Sequence, residues 1–448
     1  MERIKLLLSA FIIVLLCACT TEDFQEEEVS QNIELSKSIK NKRSYTEAYE
    51  IAQKAATMFE HENPYLSRSK KVRKIDTQKG VHFVTQQYKP VGTLADANGR
   101  RMSRSNEKDT LLYVFNYENN QGFAVVSANK NTDALLAVTD SGYYDPAIGT
   151  DNPGLAMFMD MAETYSLEDG DYERIPPTTP IPLLQSRTVK DTIEYVNIPK
   201  KINLRWGQDG LYGIYCPNST SGCANTAAAM VIAYYEHPAS MDINFETAIP
   251  HTLTFNWGEI KSHVSGIEFY GTCCSSETHS DIAKLMRQLG HLSNSDYSGI
   301  NQTLTTEENI RNVLASFGYN MSTTAGYSSS NVRSSLQDNK IILMGGFSGE
   351  DNPVGHMWIV DGYYRLHTEE HQYFSSDLGL TWYEAEGSPF VVSVEYNHIN
   401  WGWGGLGNGM FNSGVFRPYN PHKLDSGCDS SSNMNDYSTN MIQFSIIH

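Results

Sequence analysis

Regular patterning of apolar and polar residues begins near residue 44 and divides into two parts. In the first part, Thr46 can cap a helix whose apolar positions include Tyr49 and Ile51. The apolar runs TLLYVFN and GFAVVSA follow, separated by the polar residues 118–122. Apolar runs joined by such a short polar segment predict antiparallel strands connected by a hairpin. We therefore predict a first domain of helices and strands over residues 41–167.

The second part of the pattern, over residues 195–448, has helices first and strands later. Residues 223–235 form an alanine-rich apolar run that predicts a helix, which Pro238 ends. Ser280 and Thr306 can cap two further amphipathic helices. The runs IILMGGF, HMWIVDGYY and FVVSVEYNHINW then predict strands of a mostly antiparallel sheet. Helices followed by strands indicate an α+β domain.

Residues 168–194 show neither the helical nor the strand period. The segment is rich in proline and charged residues, which is typical of a linker or an exposed crossing. Arg187 and Lys190 would make it accessible to a protease. We interpret it as a linker between the two domains.

The N-terminus is predicted to direct export. Arg3 and Lys5 precede an apolar run that is shorter than the ~18 residues of a membrane span. The run, within residues 1–19, ends in Leu-Cys-Ala-Cys, which resembles a bacterial lipobox and makes Cys19 the expected lipidated first residue. A plain signal peptide is the alternative. The acidic residues 20–40 resemble the tether of surface lipoproteins in Bacteroides-like bacteria. We expect an exported outer-membrane or cell-surface lipoprotein that contacts the membrane only through its lipid, with release after processing left open.

Composition narrows the class of partner. The 448 residues carry a formal net charge of −18, which argues against a nucleic-acid-binding role. Two of the seven cysteines lie in the N-terminal segment, and the odd number that remains allows at most two disulfides and one free thiol. The remaining cysteines are Cys216, Cys223, Cys273, Cys274 and Cys428. No C-x-x-C pair occurs, so we predict no structural zinc and no cofactor.

Cys223 stands where a loop of small residues becomes the alanine-rich helix. Helix N-terminal N–H groups favour a thiolate over a thiol, and they can also receive the oxyanion of a tetrahedral intermediate. By itself this placement is more typical of a small packing residue. A cysteine nucleophile also needs a base and a group that orients the base.

Two later segments offer these groups. His356 opens a strongly β-forming stretch, where an imidazole can lie at the exposed end of a strand, although a lone histidine there is usually structural. The run NHINWGWGG provides Asn400, whose amide can hold an imidazole, with Trp401 and Trp403 beside it. A packing motif that closes a sheet is the alternative for this run. Together the three segments follow the order Cys, His, Asn of papain-like thiol proteases.

The sequence resembles, more specifically, the streptopain family of cysteine peptidases, which are secreted as zymogens. The matching stretches are Trp206-Gly207-Gln208, the Gly-Cys turn with its alanine-rich helix, GHMWIVDG and NWGWGG. The resemblance implies a papain-like α+β peptidase domain that cleaves proteins and peptides and is preceded by an α+β propeptide acting as an intramolecular inhibitor. It implies Cys223 as nucleophile and His356 as general acid/base. It also implies that Asn400 orients the imidazole, that Trp401 shields it, and that Gln208 donates to the oxyanion.

The sequence departs from the family pattern at two places. Val-Ala-Thr usually follows the nucleophile in the family, whereas Ala224-Asn225-Thr226 follows it here, which puts specificity or packing in doubt. Residues 365–389 look like a solvated insertion. Asp361 is a weaker alternative to Asn400 as the orienting group, since it lies five positions along a strand from His356.

Two rival functions remain open at this level. His367-Thr-Glu-Glu-His371 matches the H-x-x-E-H pattern of zinc proteases, but that pattern requires a helix and a distant ligand, and its flanks here are polar and loop-like. The other rival is a non-catalytic surface lipoprotein that binds polypeptide or glycan through exposed aromatic side chains. We predict a cysteine-type endopeptidase.

Overall fold

The structure is a computed structural model. It describes residues 41–59, 73–85, 110–167, 185–245, 251–263, 276–300, 302–348, 354–375, 380–385, 388–416 and 442–447. The predicted export segment with Cys19, the acidic tether and most of the predicted linker lie outside the described residues. So do Cys273, Cys274 and Cys428.

The described residues of the first domain form two α-helices and four antiparallel strands. In chain order they are α1 (Tyr45–Met58), β1 (Val81–Thr85), β2 (Thr110–Asn116), β3 (Phe123–Ser127), β4 (Leu135–Thr139) and α2 (Pro153–Leu167). The predicted helix cap at Thr46 was wrong by two residues. Ser44 caps α1, because Glu47 accepts from the Ser44 backbone N–H while the Ser44 hydroxyl accepts from the Glu47 N–H.

The expected linker is partly a strand. Residues 185–198 form β5 (Gln185–Ile198), which pairs antiparallel along a later strand from Tyr363↔Ile198 to Ser375↔Gln185. The linker interpretation was therefore wrong for residues 185–194. Arg187 and Lys190 are exposed, but their backbone is paired with β12, so this stretch is less suited to a protease than a loop would be. The error arose because β5 is largely exposed and so lacks the apolar alternation of a buried strand.

The second domain follows the predicted order of helices before strands. Its helices are α3 (Cys223–Tyr235), α4 (Trp257–Ser262), α5 (Ser276–Leu292), α6 (Glu307–Ser316) and α7 (Ser329–Gln337). Its short early strands are β6 (Ser240–Ile243), β7 (His251–Thr254), β8 (Asp296–Gly299) and β9 (Gln302–Leu304). Its later strands are β10 (Asn320–Ala325), β11 (Ile341–Ser348), β12 (Val354–Ser375), β13 (Tyr383–Glu384), β14 (Phe390–Asn400), β15 (Gly409–Asn412) and β16 (Ile442–Ile447). Thr306 caps α6 as predicted, whereas α5 begins four residues before the predicted cap Ser280.

One antiparallel sheet runs through both domains. The order of its strands is β1-β2-β3-β4-β15-β14-β12-β11-β16-β10, with β5 and β13 also paired to β12. The domains join where β4 pairs with β15, with Phe411 opposite Ala137. This confirms the predicted α+β class, and it shows that the first domain docks by extending the sheet of the second.

Two hydrophobic cores position the two halves of the site. One core surrounds α3, which is apolar on all sides and buried among α5, α6 and the sheet. The other is shared between the domains, since Leu155 and Phe158 of α2 pack with Trp358, Trp401 and Phe411. The shared core fixes the first domain against the strands that carry His356 and Asn400.

The H-x-x-E-H pattern lies on a strand. His367 and His371 are both within β12, not on the helix that a zinc protease requires. The interpretation of this part of the insertion as a loop was therefore wrong, since β12 continues through residue 375 between β5 and β14. Among the described residues, no helix combines the length and apolarity needed to cross a membrane.

Candidate active site

Cys223 is the first residue of α3, and its position depends on Gly222. Gly222 has a φ of +82°, and a Cβ there would come within 3.0 Å of Thr303. Glycine fits this conformation without strain, so the chain can turn sharply into the helix. The Thr226 hydroxyl donates to the Gly222 carbonyl at 2.9 Å and holds the first turn. The Cys223 side chain is partly exposed and lies at the helix N-terminus, as predicted.

His356 lies near the start of β12 and is almost fully buried. Its Nε2 lies 2.8 Å from the backbone carbonyl of Trp401. Because a carbonyl can only accept, Nε2 must carry a proton in either charge state of the ring. The proton that His356 exchanges is therefore the one on Nδ1.

The structure brings Cys223 and His356 together. Burial alone would raise the pKa of the Cys223 thiol. The charge of His356, a hydrogen bond to it, and the backbone amides of Met357 and Ala224 outweigh burial and hold that pKa below its ordinary value. These contacts therefore favour ionisation of the Cys223 thiol.

Asn400 does not occupy its expected position. Its Nδ2 donates to the Leu204 carbonyl at 2.7 Å, and its Oδ1 accepts from the Gly402 backbone N–H at 3.2 Å. The peptide that Asn400 holds, between Trp401 and Gly402, is the one whose carbonyl contacts the imidazole. Asn400 therefore does not bond to the imidazole as expected. The group that contacts the imidazole is the Trp401 carbonyl, and Asn400 holds the N–H of the same peptide.

Three tryptophans surround the imidazole. The ring centres of Trp358, Trp401 and Trp403 each lie 6.3 Å from that of His356. Trp401 is fully buried, and its indole N–H donates to the Gly407 carbonyl at 3.0 Å, which fixes the ring. The expected role of Trp401 in shielding the imidazole stays a prediction.

Gln208 is tied to the turn that precedes the cysteine. Its backbone carbonyl accepts from the Ser221 N–H at 2.8 Å and from the Ser221 hydroxyl at 3.2 Å. The neighbouring Trp206 carbonyl accepts from the Gly404 N–H at 3.1 Å, so the segment also contacts the NWGWGG loop. The role of the Gln208 side chain as an oxyanion donor stays a prediction.

The first domain covers the imidazole. Gly154, in the first turn of α2, lies so close that a Cβ at this position would be 2.5 Å from His356 Cδ2 and 2.4 Å from the Trp401 ring. Asn152 caps this helix by accepting from the Gly154 and Leu155 N–H groups, and its Nδ2 donates to the Leu406 carbonyl. No pattern in the sequence marked Gly154, because its importance depends on a contact between distant segments.

Asp361 has a different role from the one considered for it. It is fully buried, with Oδ1 at 2.6 Å from His398 Nδ1 and Oδ2 accepting from the Ile202 N–H at 2.7 Å. Asp361 therefore joins β12, β14 and the segment that leads to Gln208, and it does not orient His356.

The comparisons with known proteins match both domains. Residues 206–411 match the Peptidase C10 family, and residues 44–165 match the Spi protease inhibitor family. These two matches correspond to the peptidase domain and the propeptide that the resemblance to the streptopain family implied. The resemblance found in the sequence is confirmed, and the chain is a cysteine peptidase with an inhibitor-type propeptide. Below, we call residues 41–167 the prodomain.

Several known proteins are similar to this chain. Streptopain of Streptococcus pyogenes serotype M28 is 23% identical over 359 residues, which cover 71% of this chain and 77% of streptopain. The thiol protease/hemagglutinin PrtT of Porphyromonas gingivalis is 22% identical over 342 residues, covering 69% of this chain and 35% of PrtT. A solved fragment of prointerpain A from Prevotella intermedia matches with a TM-score of 0.47 and 19% identity over 77% of this chain and 96% of the fragment.

Proposed function

We propose that the chain is the zymogen of a cysteine endopeptidase that hydrolyses proteins through Cys223 and His356. The observation that carries this proposal is the contact between the Cys223 thiol, at the start of α3, and the His356 imidazole, which holds the pKa of the thiol low. A thiolate at a helix N-terminus beside an imidazole is the arrangement that thiol-dependent acyl transfer requires.

The first half of the reaction forms an acyl-enzyme. The Cys223 thiolate attacks the carbonyl carbon of the scissile peptide bond, and the oxyanion receives hydrogen bonds from the Cys223 backbone N–H and from the Gln208 side chain. His356 donates its Nδ1 proton to the nitrogen of the leaving amine, and the C–N bond breaks. The Nε2–H stays bonded to the Trp401 carbonyl, which keeps the ring aligned.

The second half releases the acid. The now neutral Nδ1 of His356 removes a proton from a water molecule as that water attacks the thioester carbonyl. The C–S bond then breaks, and the carboxylic acid leaves while Cys223 is restored as a thiolate paired with the imidazolium. The carbonyl of Trp401 needs no change of position, since it accepts from the same ring nitrogen in both halves.

We propose that the prodomain inhibits the enzyme by docking on this site. Its helix α2 packs Gly154 against His356, and its strand β4 extends the sheet of the peptidase domain. The pairing of β5 with β12 argues against cleavage within residues 185–198. We therefore place the activating cleavage in residues 168–184 and expect β5 to remain with the mature enzyme.

We also propose that the protein is exported and anchored through Cys19. The support is the sequence alone: a short positively charged start, an apolar run and the Leu-Cys-Ala-Cys lipobox. Replacing Cys19 by Ala should abolish metabolic labelling with a fatty acid in the producing cell. Unchanged labelling would show that the lipid is attached to another residue and would overturn the assignment to Cys19.

The reaction is tested with paired cysteine variants of the full chain. Cys223→Ala should abolish cleavage of casein after the prodomain is removed, while the variant keeps the thermal unfolding midpoint of the parent. Cys216→Ala is the matched control, because the buried Cys216 lies outside this site and its loss should leave cleavage nearly intact. Casein cleavage by the Cys223→Ala variant would overturn the assignment of the nucleophile.

A further inference from the structure

Asn225 is a fully buried polar residue in the first turn of α3, two residues after the proposed nucleophile. Its Nδ2 donates to the Ser221 carbonyl at 2.8 Å and lies 3.0 Å from Ser295 Oγ and 3.4 Å from Thr305 Oγ1. Its Oδ1 accepts from the Ser293 hydroxyl at 3.3 Å. Thus a single amide joins three separate segments of the chain.

The first of these segments is the Ser221–Gly222 turn that leads into Cys223, which we call the nucleophile turn. The other two are the ends of a hairpin. Ser295 immediately precedes β8, and Thr305 immediately follows β9. The same hairpin contacts the turn a second time, because the Thr303 hydroxyl donates to the Thr220 carbonyl at 2.9 Å and its side chain packs on Gly222. The base of the β8–β9 hairpin is therefore fastened to the turn through Asn225.

The Ser221 carbonyl is the critical acceptor. It belongs to the peptide that enters Gly222, whose left-handed φ sets the direction of the Cys223 N–H and of the thiol. On the other side, the Ser221 N–H and hydroxyl both donate to the Gln208 carbonyl. Asn225 thus holds, through Ser221, both of the groups that are proposed to receive the oxyanion.

We propose that Asn225 is a positioning residue that aligns the nucleophile and the oxyanion donors by fixing the Ser221–Gly222 peptide. This inference rests on the proposed function of Cys223. The amide suits this position because its Nδ2 donates to the Ser221 carbonyl while its Oδ1 accepts from the Ser293 hydroxyl. It also packs closely on Gly290, where a Cβ would lie 3.1 Å from Asn225 Nδ2.

The first variant is Asn225→Asp, which keeps the size of the side chain and its acceptor atoms but loses the donor to Ser221. A misplaced nucleophile turn weakens transition-state contacts more than substrate binding. We therefore expect kcat per titrated active site to fall by about tenfold or more, with KM changed by less than about threefold. The processed enzyme is used, and its active sites are counted with a thiol-directed epoxide.

A second variant separates positioning from a merely structural role. In Asn225→Ala with Ser293→Ala and Ser295→Ala, the hydroxyls that would lose their partner are removed, so thermal stability should largely recover. The Ser221 carbonyl still lacks its donor, so kcat should stay low. Recovery of kcat together with the unfolding midpoint would overturn the proposal.

Thr305→Val is the matched control. It removes a hydroxyl from the same network but leaves the 2.8 Å bond between Asn225 and the Ser221 carbonyl, so kcat should change by less than about twofold. A loss equal to that of Asn225→Asp would assign the effect to the hairpin and overturn the role of Ser221. A fully active Asn225→Asp overturns this inference alone, whereas an active Cys223→Ala overturns the proposed function.

Discussion

Gly154 of the prodomain lies directly against the imidazole of His356, with no room for even a methyl group between α2 and the ring. A Cβ at residue 154 would be 2.5 Å from His356 Cδ2 and 2.4 Å from the Trp401 ring, well inside van der Waals contact. The first turn of α2 therefore covers the Cδ2 edge of the imidazole. The contact makes prodomain docking and His356 placement mutually dependent.

Gly154→Ala should loosen the prodomain. The added methyl group must displace either α2 or the imidazole, and such overpacking typically costs about 1–3 kcal/mol. We expect intact Gly154→Ala chains to be processed faster than the parent and to react earlier with a thiol-directed inhibitor. Asp160→Asn, at an exposed position of the same helix, is the control and should behave like the parent. Slower processing of Gly154→Ala would show that the contact does not restrain docking.

Asn400 should matter less than His356 although both are buried at the site. Asn400→Ala leaves the Leu204 carbonyl and the Gly402 N–H without their partner and frees the peptide whose carbonyl aligns the imidazole. A misaligned base can cost up to about a hundredfold in kcat, so we expect a loss of about tenfold to a hundredfold. His356→Ala, which removes the acid/base itself, should lose more.

The pH profile provides the check on this prediction. Because Asn400 does not touch the thiol or the ring, Asn400→Ala should lower the plateau of kcat against pH without moving its acidic limb by more than about half a pH unit. A large shift of that limb would indicate that Asn400 bonds directly to the imidazole, as the sequence had suggested.

The sequence identified the site residues whose chemistry resides in side chains. Cys223 before an alanine-rich helix and His356 at the start of a strand carry recognisable signals, and the structure brings them together. The partner of the imidazole could not be found in this way, because the Trp401 carbonyl is a backbone group that any residue possesses. NHINWGWGG indicated the correct loop, but it indicated the Asn400 side chain and not the neighbouring backbone carbonyl.

The fold shows the same division. Segments such as α3 and α6 were predicted correctly because their apolar runs and capping residues lie within or next to the segment itself. The strand β5 was missed because its stability comes from backbone pairing with β12, not from apolar side chains. The pairing of β4 with β15 could not be predicted from the sequence either, because pairing between distant strands depends on the assembled fold.

Cys216 and Cys223 should differ sharply in reactivity. Burial raises the pKa of the Cys216 thiol to about 11, despite the opposing effects of Tyr297 and Arg287, whereas the pKa of Cys223 lies below its ordinary value. At pH 7 iodoacetamide should therefore label Cys223 faster than Cys216 by on the order of a hundredfold or more, because the thiolate is the nucleophile. Peptide mapping by mass spectrometry measures both rates in one sample.

Two controls distinguish ionisation from exposure. His356→Ala removes the charge that lowers the Cys223 pKa, so its labelling at pH 6 should slow while labelling at pH 10 changes little. Unfolding in urea should make the two cysteines equal. Equal labelling rates in the folded chain at pH 7 would contradict the assignment of Cys223 as a thiolate.

From the surroundings of His398 we predict that the thermal unfolding midpoint of the zymogen falls at alkaline pH. Its ring lies between Asp361, 2.6 Å away in the peptidase domain, and Asp140, 3.5 Å away in the prodomain, and Lys200 pairs with Asp140 at 2.5 Å. Burial alone would lower the pKa of His398, but the two carboxylates outweigh burial and raise it to about 9. Because the folded pKa exceeds the ordinary value of 6.5, the imidazolium favours the folded state.

This stabilisation is complete below about pH 6.5 and is lost as pH rises through about 9. The full shift of the His398 pKa corresponds to about 3 kcal/mol in the free energy of unfolding. Thermal unfolding of the full chain carrying Cys223→Ala, which prevents self-cleavage, should therefore show a midpoint that falls between pH 7 and pH 10. Asp140→Asn removes one of the two carboxylates that raise the folded pKa, so the fall should be smaller and should end at lower pH, and His398→Gln should flatten it. Asp151→Asn, an exposed change in the prodomain, should reproduce the parent profile. An unfolding midpoint of His398→Gln that falls with pH as steeply as the parent's would assign the loss to another group.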